Sequence, residues 1–551
     1  MVYCGKPSQG CGECRSRKIR CDQVKPVCSQ CIRANRICPG YRDQLSLLFR
    51  DESQEVIRKA RAASSSGKQT RGTRRRQHAR NDAKEPATGD FSSDGSDRRQ
   101  LRYSPLVEQP VSTSAKDQAT CLFFRNFGWM GASFLARADS RYSHSQTVEA
   151  PVSNKAMLAS IAAVGMAALA GIKNSPPLRL AARSEYVQAL RYTNAALSDP
   201  TQATSDATLT SVSLLAIFEV FTSRVPQSIE NWTKHVHGAT TLLELRGLRQ
   251  LESDIGLLLF TQLRNKILIS CLQRQAHVPP TIAEFSKIVA SMRSDAYRHA
   301  DTLVEILIKL NNLRADINSK VIVDNVEILS AAQAIESELK AWVVSLPQEW
   351  AYCTVKVTEG NFVRATGQEG LYPYNSRYHL YTDLYISHAW NHYRAAAILV
   401  NEIIVVQLYR LSTESVTLSF SSEFRVRCHG IRAIQQQLAA DICYSVPYHL
   451  GLGDTEGMQI SRSISSVGGF LLLWPLFLAG SVYGSSHPLR KWTIDCYKLI
   501  GRTLGIDQAL ALADMLNGTQ EYESLDIVEQ SAISGAKVTE VVDVSADLTG
   551  I

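Results

Sequence analysis

Six cysteines near the N-terminus, Cys11, Cys14, Cys21, Cys28, Cys31 and Cys38, form two copies of one spacing, C-x2-C-x6-C, the second displaced from the first by seventeen positions. A stretch this short cannot hold itself together by burying apolar surface. Metal can do so instead, because zinc in a closed four-coordinate thiolate site contributes folding energy directly. Two separate tetrahedral ions would need eight thiolates, and the repeat supplies six. The count closes if Cys11 and Cys28, the first cysteine of each half, bridge both ions. The opposing reading is a disulfide-stapled peptide. Against it, the opening Met1-Val2-Tyr3-Cys4-Gly5-Lys6 has none of the apolar character of a secretory signal. The other seven cysteines (Cys4, Cys121, Cys271, Cys353, Cys428, Cys443 and Cys496) are scattered, and the total of thirteen is odd, a usage that suits a reducing compartment. Cys4 stands outside the repeat and reads as a spare thiol. Two structural Zn2+ ions per chain are expected.

The halves share a scaffold but not a surface. Between Cys14 and Cys21 lie Arg15, Arg17, Lys18 and Arg20; the matching stretch of the second half carries only Arg33 and Arg36. Six thiolates and two zinc ions leave a net charge of about −2, so part of this basic charge serves neutralisation. Four cations in six positions exceed that need. Arg17 and Lys18 supply donors that can reach guanine O6 and N7 in a major groove. Arg15 and Arg20 are candidates for phosphate contacts, which position a protein without specifying a sequence. The plainer alternative is a solvated basic face.

The segment CGECRSRKIRCDQVKPVCSQCIRANRIC resembles the DNA-binding domain of the fungal binuclear zinc cluster transcription factors. The resemblance implies that the basic run ends a short helix entering the major groove, where Lys18 reads a CGG triplet beside Arg17. It also implies that Pro26 sits in the loop joining the halves and that Cys11 and Cys28 are the bridging ligands.

Charge is distributed to match. Through Arg102 there are 23 Lys and Arg against 11 Asp and Glu, whereas the whole chain carries only +8, so the remainder is net negative. A basic arm is joined to a near-neutral body large enough for one big domain or two medium ones. After the first domain (1–43), Leu45, Leu48, Phe49, Val56 and Ile57 suggest one short amphipathic helix. Many members of the family have a dimerising coiled coil here. In this chain Glu52 interrupts the apolar seam and no further heptad follows, which leaves a homodimer through the segment open. From Arg61 to Lys116 the composition is that of a disordered basic linker. Within it Arg71, Arg74, Arg75, Arg76 and Arg80 read either as a nuclear import signal or as a solubilising cluster.

Residues 118–520 read as an all-helical body. Helices are expected over 154–172, 178–198, 204–223, 228–246, 253–274, 297–317, 325–345, 378–410, 430–446 and 490–516, with Pro176-Pro177, Pro226, Pro279-Pro280 and Pro488 between segments. No repeat of solenoid length is visible. Several phrases resemble the regulatory region of fungal zinc cluster activators: Trp232-x2-His235-x2-Gly238-Ala239 with Arg246-Gly247, Trp390-Asn391-x-Tyr393-Arg394, Ser445-Val446-Pro447-Tyr448, and Trp474-Pro475-Leu476. That implies an all-helical domain that regulates the DNA-binding arm.

No enzymatic constellation stands out. His235 and His237, two residues apart, fall on different sides of a helix and make poor joint ligands. Arg394 and Asp441, charged among apolar neighbours, suggest a structural ion pair. The uncharged run from Val467 to Gly484 approaches membrane-spanning length, but the interior Pro475 favours a core helix kinked or broken there, and no other convincing span is read. The tail from Glu521 carries seven acids against Lys537 and reads equally as an activation segment or a solvated end.

The fold class expected is therefore mainly α, with a two-zinc six-cysteine domain, a disordered linker and a helical regulatory domain. Its partners are expected to be double-stranded DNA, the transcription machinery and a possible second copy, in the nucleus, with no membrane and no catalysis. Family-level expectation adds activation of a secondary-metabolite gene cluster. The rival reading is an interaction protein that no longer binds DNA and acts through its body.

Overall fold

The computed structural model describes residues 11–17, 19–22, 28–36, 38, 114–127, 150–222, 224, 227–357, 372–414, 422–451 and 466–518. The amphipathic segment over 45–57, nearly all of the basic linker and the acidic tail from Glu521 lie outside these residues.

The cysteine-rich segment contains two five-residue helices, α1 (Gly12–Ser16) and α2 (Ser29–Arg33). The body opens with α3 (Ala115–Phe127), α4 (Val152–Ile172), α5 (Pro176–Leu197), α6 (Asp206–Thr222) and α7 (Gln227–Arg246). It continues through α8 (Asp254–Arg274), α9 (Pro280–Met292), α10 (Asp295–Asn318) and α11 (Asn325–Ser345). A two-stranded hairpin, β1 (Cys353–Lys356) and β2 (Arg377–Leu380), precedes α12 (Leu384–Glu414), α13 (Ser422–His449), α14 (Ser466–Ser481), α15 (Pro488–Leu504) and α16 (Asp507–Gly518).

The core is organised around helices with no polar face. Every residue of α4 from Ala156 to Ala170 except Leu158 is buried, and α6 is buried continuously from Ser211 to Phe221. A helix that is apolar all round belongs in the interior of a large helical domain. Small residues let its neighbours approach: a Cβ on Gly165 would lie 2.2 Å from the Ala119 carbonyl oxygen of α3, and one on Gly171 would lie 2.4 Å from Gly505 Cα. Farther along, Trp342 of α11 meets Trp390 and Tyr393 of α12 with ring centroids 5.6 and 5.3 Å apart.

Helix starts follow local chemistry. Pro176, Pro280 and Pro488 each occupy a first helical turn, where the missing N–H is no loss. Ser253 Oγ accepts from Gly256 N–H at 3.0 Å and an Asp324 carboxylate oxygen accepts from Val326 N–H at 3.0 Å, capping α8 and α11. Pro226 lies outside the described residues.

The mainly helical class holds, with four departures from the sequence reading. The helix expected from 378 begins at Leu384, because Arg377–Leu380 pair antiparallel with Cys353–Lys356, Cys353 opposite Leu380 and Lys356 opposite Arg377. The single helix expected over 490–516 is two, divided at Gly505 in the left-handed conformation (φ 71°). Helices α3 and α9 were not anticipated. Finally, α13 begins at Ser422, ahead of the expected 430, while α14 is buried as expected and runs through Pro475 without a break.

By length and composition three other helices, Val152–Ile172, Asp254–Arg274 and Leu384–Ser412, are long and apolar enough to cross a membrane, contrary to the sequence reading. In this fold 78, 61 and 72% of their most apolar windows are buried within the body. Ser466–Ser481, at 16 residues, is shorter than the roughly 20 that a span requires.

Candidate metal centre and nucleic-acid interface

The seventeen-residue repeat reappears in the backbone. Gly12–Ser16 and Ser29–Arg33 are equivalent helices, and their hydrogen bonds repeat in register. Cys14 N–H donates to Cys11 Sγ at 3.4 Å, and Cys31 N–H donates to Cys28 Sγ at 3.4 Å. Ile19 N–H donates to Cys14 O at 3.0 Å, as Arg36 N–H does to Cys31 O at 3.0 Å. Each half thus starts on a cysteine that caps its helix and leaves the helix through the same closing bond.

The thiols converge. Cys11, Cys14, Cys21 and Cys28 place their Sγ atoms within 4.8 Å of one another, and so do Cys11, Cys28, Cys31 and Cys38. Only Cys11 and Cys28 belong to both sets, as the ligand count requires. The pairs Cys11–Cys28, Cys14–Cys28 and Cys11–Cys31 stand 3.6, 3.6 and 3.7 Å apart. A tetrahedron with Zn–S bonds of about 2.3 Å has edges of about 3.8 Å, so the cavity between the sulfurs already has the dimensions of a zinc site. None of the six is in a disulfide. Four soft donors per ion and no carboxylate or histidine in either set match two structural zinc ions, which would hold the halves together. Burial, reinforced by neighbouring thiols, pushes the Cys14 thiol up to about 12, so a bound cation is what makes the thiolate accessible near neutral pH.

The acids of the segment are used internally. Arg36 donates to Glu13 at 2.9 Å, tying the second half to the first helix, and the Asp22 carboxylate accepts from Ser29 N–H at 3.1 Å at the start of α2. Neither link was foreseen, and a contact between residues 23 apart leaves no local trace in sequence. What remains outward is the basic run: Arg17 and Arg20 are exposed and pair with no acid among the described residues. Arg15 lies in α1, and Lys18 falls outside the described residues, between Arg17 and Ile19. Its counterpart in the repeat, Asn35, is exposed with φ 47°.

In the body, His235 is buried and shares a 3.1 Å hydrogen bond with Tyr186 Oη, while His237 is exposed, as their spacing implies. The ion pair expected between Arg394 and Asp441 does not form. Arg394, 1% exposed, donates to Tyr381 Oη at 2.8 Å and Asn391 Oδ1 at 2.9 Å and lies over the Tyr352 and Trp390 rings. Asp441 accepts instead from Gln437 at 2.8 Å. Aromatic faces and neutral oxygens spread over α12 and the hairpin satisfy the guanidinium, which a search for opposite charges could not reveal.

Residues 9–47 match the family described as the fungal Zn(2)-Cys(6) binuclear cluster domain, and residues 137–348 match the fungal specific transcription factor domain. Over 144 residues the chain is 30% identical to the transcription factor dbaG of Emericella nidulans, a match covering 24% of this chain and 31% of that one. It is 33% identical over 146 residues to the transcription regulator galc of Aspergillus niger (23% and 16%). It is 34% identical over 71 residues to a lysine biosynthesis regulatory protein of Saccharomyces cerevisiae (13% and 9%). The matched stretches thus span about a third or less of these relatives. No solved structure matches the chain.

Proposed function

We infer that this chain, which carries a fungal binuclear zinc cluster domain joined to a fungal specific transcription factor domain, is a sequence-specific DNA-binding regulator of RNA polymerase II transcription acting in the nucleus. The observation that carries the reading is the pairing of a closed six-thiolate site with an exposed basic run. The acids are consumed in joining the halves, and Arg17 and Arg20 are left facing solvent beside α1. A rigid short helix rimmed by free cations suits a major groove lined by phosphates.

In this reading Lys18 and Arg17 reach guanine edges of a CGG triplet, while Arg15 and Arg20 engage phosphates. The helical body then regulates the arm, contacts the transcription machinery and provides the surface for any homodimer. Control of a secondary-metabolite gene cluster is the biological role we propose.

The test is selection of the full-length protein on randomised duplexes, followed by single substitutions. Lys18→Ala is expected to cost about 1–3 kcal/mol on a CGG duplex and to flatten the preference for that triplet. Arg15→Ala should weaken all duplexes alike and reduce the salt dependence. Asn35→Ala, at the equivalent position of the second half, should change little. An unaltered sequence preference in Lys18→Ala would remove the first half from its role as the reading element, and selection of no sequence at all would favour the interaction-protein reading.

A further inference from the structure

Glu13 and Arg17 stand four residues apart, with the acid on the N-terminal side. On a helix this is the favourable order for an ion pair, because the two side chains share one face with Cβ atoms about 5–6 Å apart. The backbone meets the condition. Arg17 N–H donates to the Glu13 carbonyl oxygen at 3.2 Å, the ordinary helical bond, just past the end of α1. Sequence and local geometry therefore favour a Glu13–Arg17 pair, and it does not form.

Glu13 pairs with Arg36 instead, at 2.9 Å, and Arg17 stays exposed with no acid partner among the described residues. Arg36 reaches in from the second half, 23 positions away. Its backbone is fixed there: Asn35, in the left-handed conformation (φ 47°), leads the chain out of α2, and Arg36 N–H closes onto the Cys31 carbonyl oxygen at 3.0 Å. Cys38, a member of the second sulfur set, follows two residues later. The observed and the displaced pair both lie at the surface, where one ion pair contributes little to stability. The choice between them matters through the cation that it leaves free.

We propose that Arg36 is a positioning residue for DNA reading: by engaging Glu13 it keeps that carboxylate off Arg17 and leaves the Arg17 guanidinium available to a guanine edge. The inference rests on the DNA-binding function inferred above. Without Arg36, Glu13 would hold Arg17, and a duplex carrying the base that Arg17 reads would bind only after releasing it. A duplex lacking that base makes no such demand. The loss is therefore one of discrimination. Removal of the Arg36 charge itself acts on every duplex alike and cancels from the ratio of affinities.

The experiment measures the affinity of the full-length, zinc-loaded protein for its selected duplex and for single-base replacements of that duplex. Arg17→Ala identifies the base that Arg17 reads, as the position whose preference flattens. At that base Arg36→Ala should lower discrimination about two- to sixfold, the range for an exposed ion pair competing with the DNA contact. Glu13→Gln combined with Arg36→Ala should restore the parent's ratio, because the competing carboxylate is gone while the link between the halves stays broken. Zinc content should equal the parent's in both variants. The proposal is overturned if Arg36→Ala leaves the ratio unchanged or if Arg17→Ala flattens no position. A double variant as poor as Arg36→Ala, or zinc lost from Arg36→Ala, would overturn it as well and make Arg36 a structural tie. A parent protein that selects no sequence would instead bring down the DNA-binding reading, and this proposal with it.

Discussion

Cys11 and Cys28 each combine two tasks: they cap a helix through an N–H···S bond and belong to both four-sulfur sets. Cys21 and Cys38 belong to one set each. That asymmetry separates the expected phenotypes. Metal analysis of the purified protein should return two zinc ions per chain. Cys11→Ser or Cys28→Ser should lose both, whereas Cys21→Ser or Cys38→Ser should first weaken one. A single zinc in the parent protein would contradict the shared-ligand arrangement. At this scale the cysteines were legible because coordination chemistry allows few solutions for six thiolates at these spacings. Arg394 was not, since its partners are Tyr381, Asn391 and ring faces drawn from β2's flank and its own helix turn.

Among the elements, long helices with a polar stripe or a proline start were readable, and their ends fell close to expectation except at Ser422, where α13 begins ahead of the expected 430. The failures have physical causes. Four-residue strands such as Cys353–Lys356 are too short to display alternation, and their pairing partner lies more than twenty positions downstream. The break at Gly505 turns on one left-handed residue within an otherwise helical pattern. The persistence of α14 through Pro475 reflects burial on nearly every side, which outweighs the proline's preference. Close packing of α14 is testable. A Cβ on Gly468 would lie 1.6 Å from the His449 carbonyl oxygen, a backbone atom that cannot step aside. Gly468→Ala should therefore destabilise the body by about 1–3 kcal/mol in urea unfolding. Gly430, exposed within α13 with nothing within 4 Å of its missing Cβ, is the control: Gly430→Ala should stabilise by about 0.5–1 kcal/mol. Equal effects of the two substitutions would show that helix propensity, not interhelical contact, governs both.

The whole molecule divides its labour by charge: a basic arm through Arg102 and a body that is slightly acidic in sum. Seventy-five residues separate Cys38 from Ser114, and most of them belong to the stretch from Arg61 to Lys116 whose composition reads as a disordered basic linker. A flexible chain of that length has a root-mean-square span on the order of 50 Å, longer than one turn of duplex DNA at about 34–36 Å. Two zinc clusters joined through a dimeric body would then reach paired triplets over a range of separations, and the second contact would gain from effective concentration. The seam at Leu45 to Ile57, interrupted by Glu52, gives an isolated arm little means of doing the same. Full-length protein should accordingly favour paired over single CGG sites by a much larger factor than a fragment ending at residue 60, and that preference should vary gently with the spacing. A sharp optimum at one spacing would place dimerisation in the arm itself, next to the clusters. Equal ratios for the two proteins on both probes would mean that the chain reads DNA as a monomer, with the body acting only through the partners it recruits.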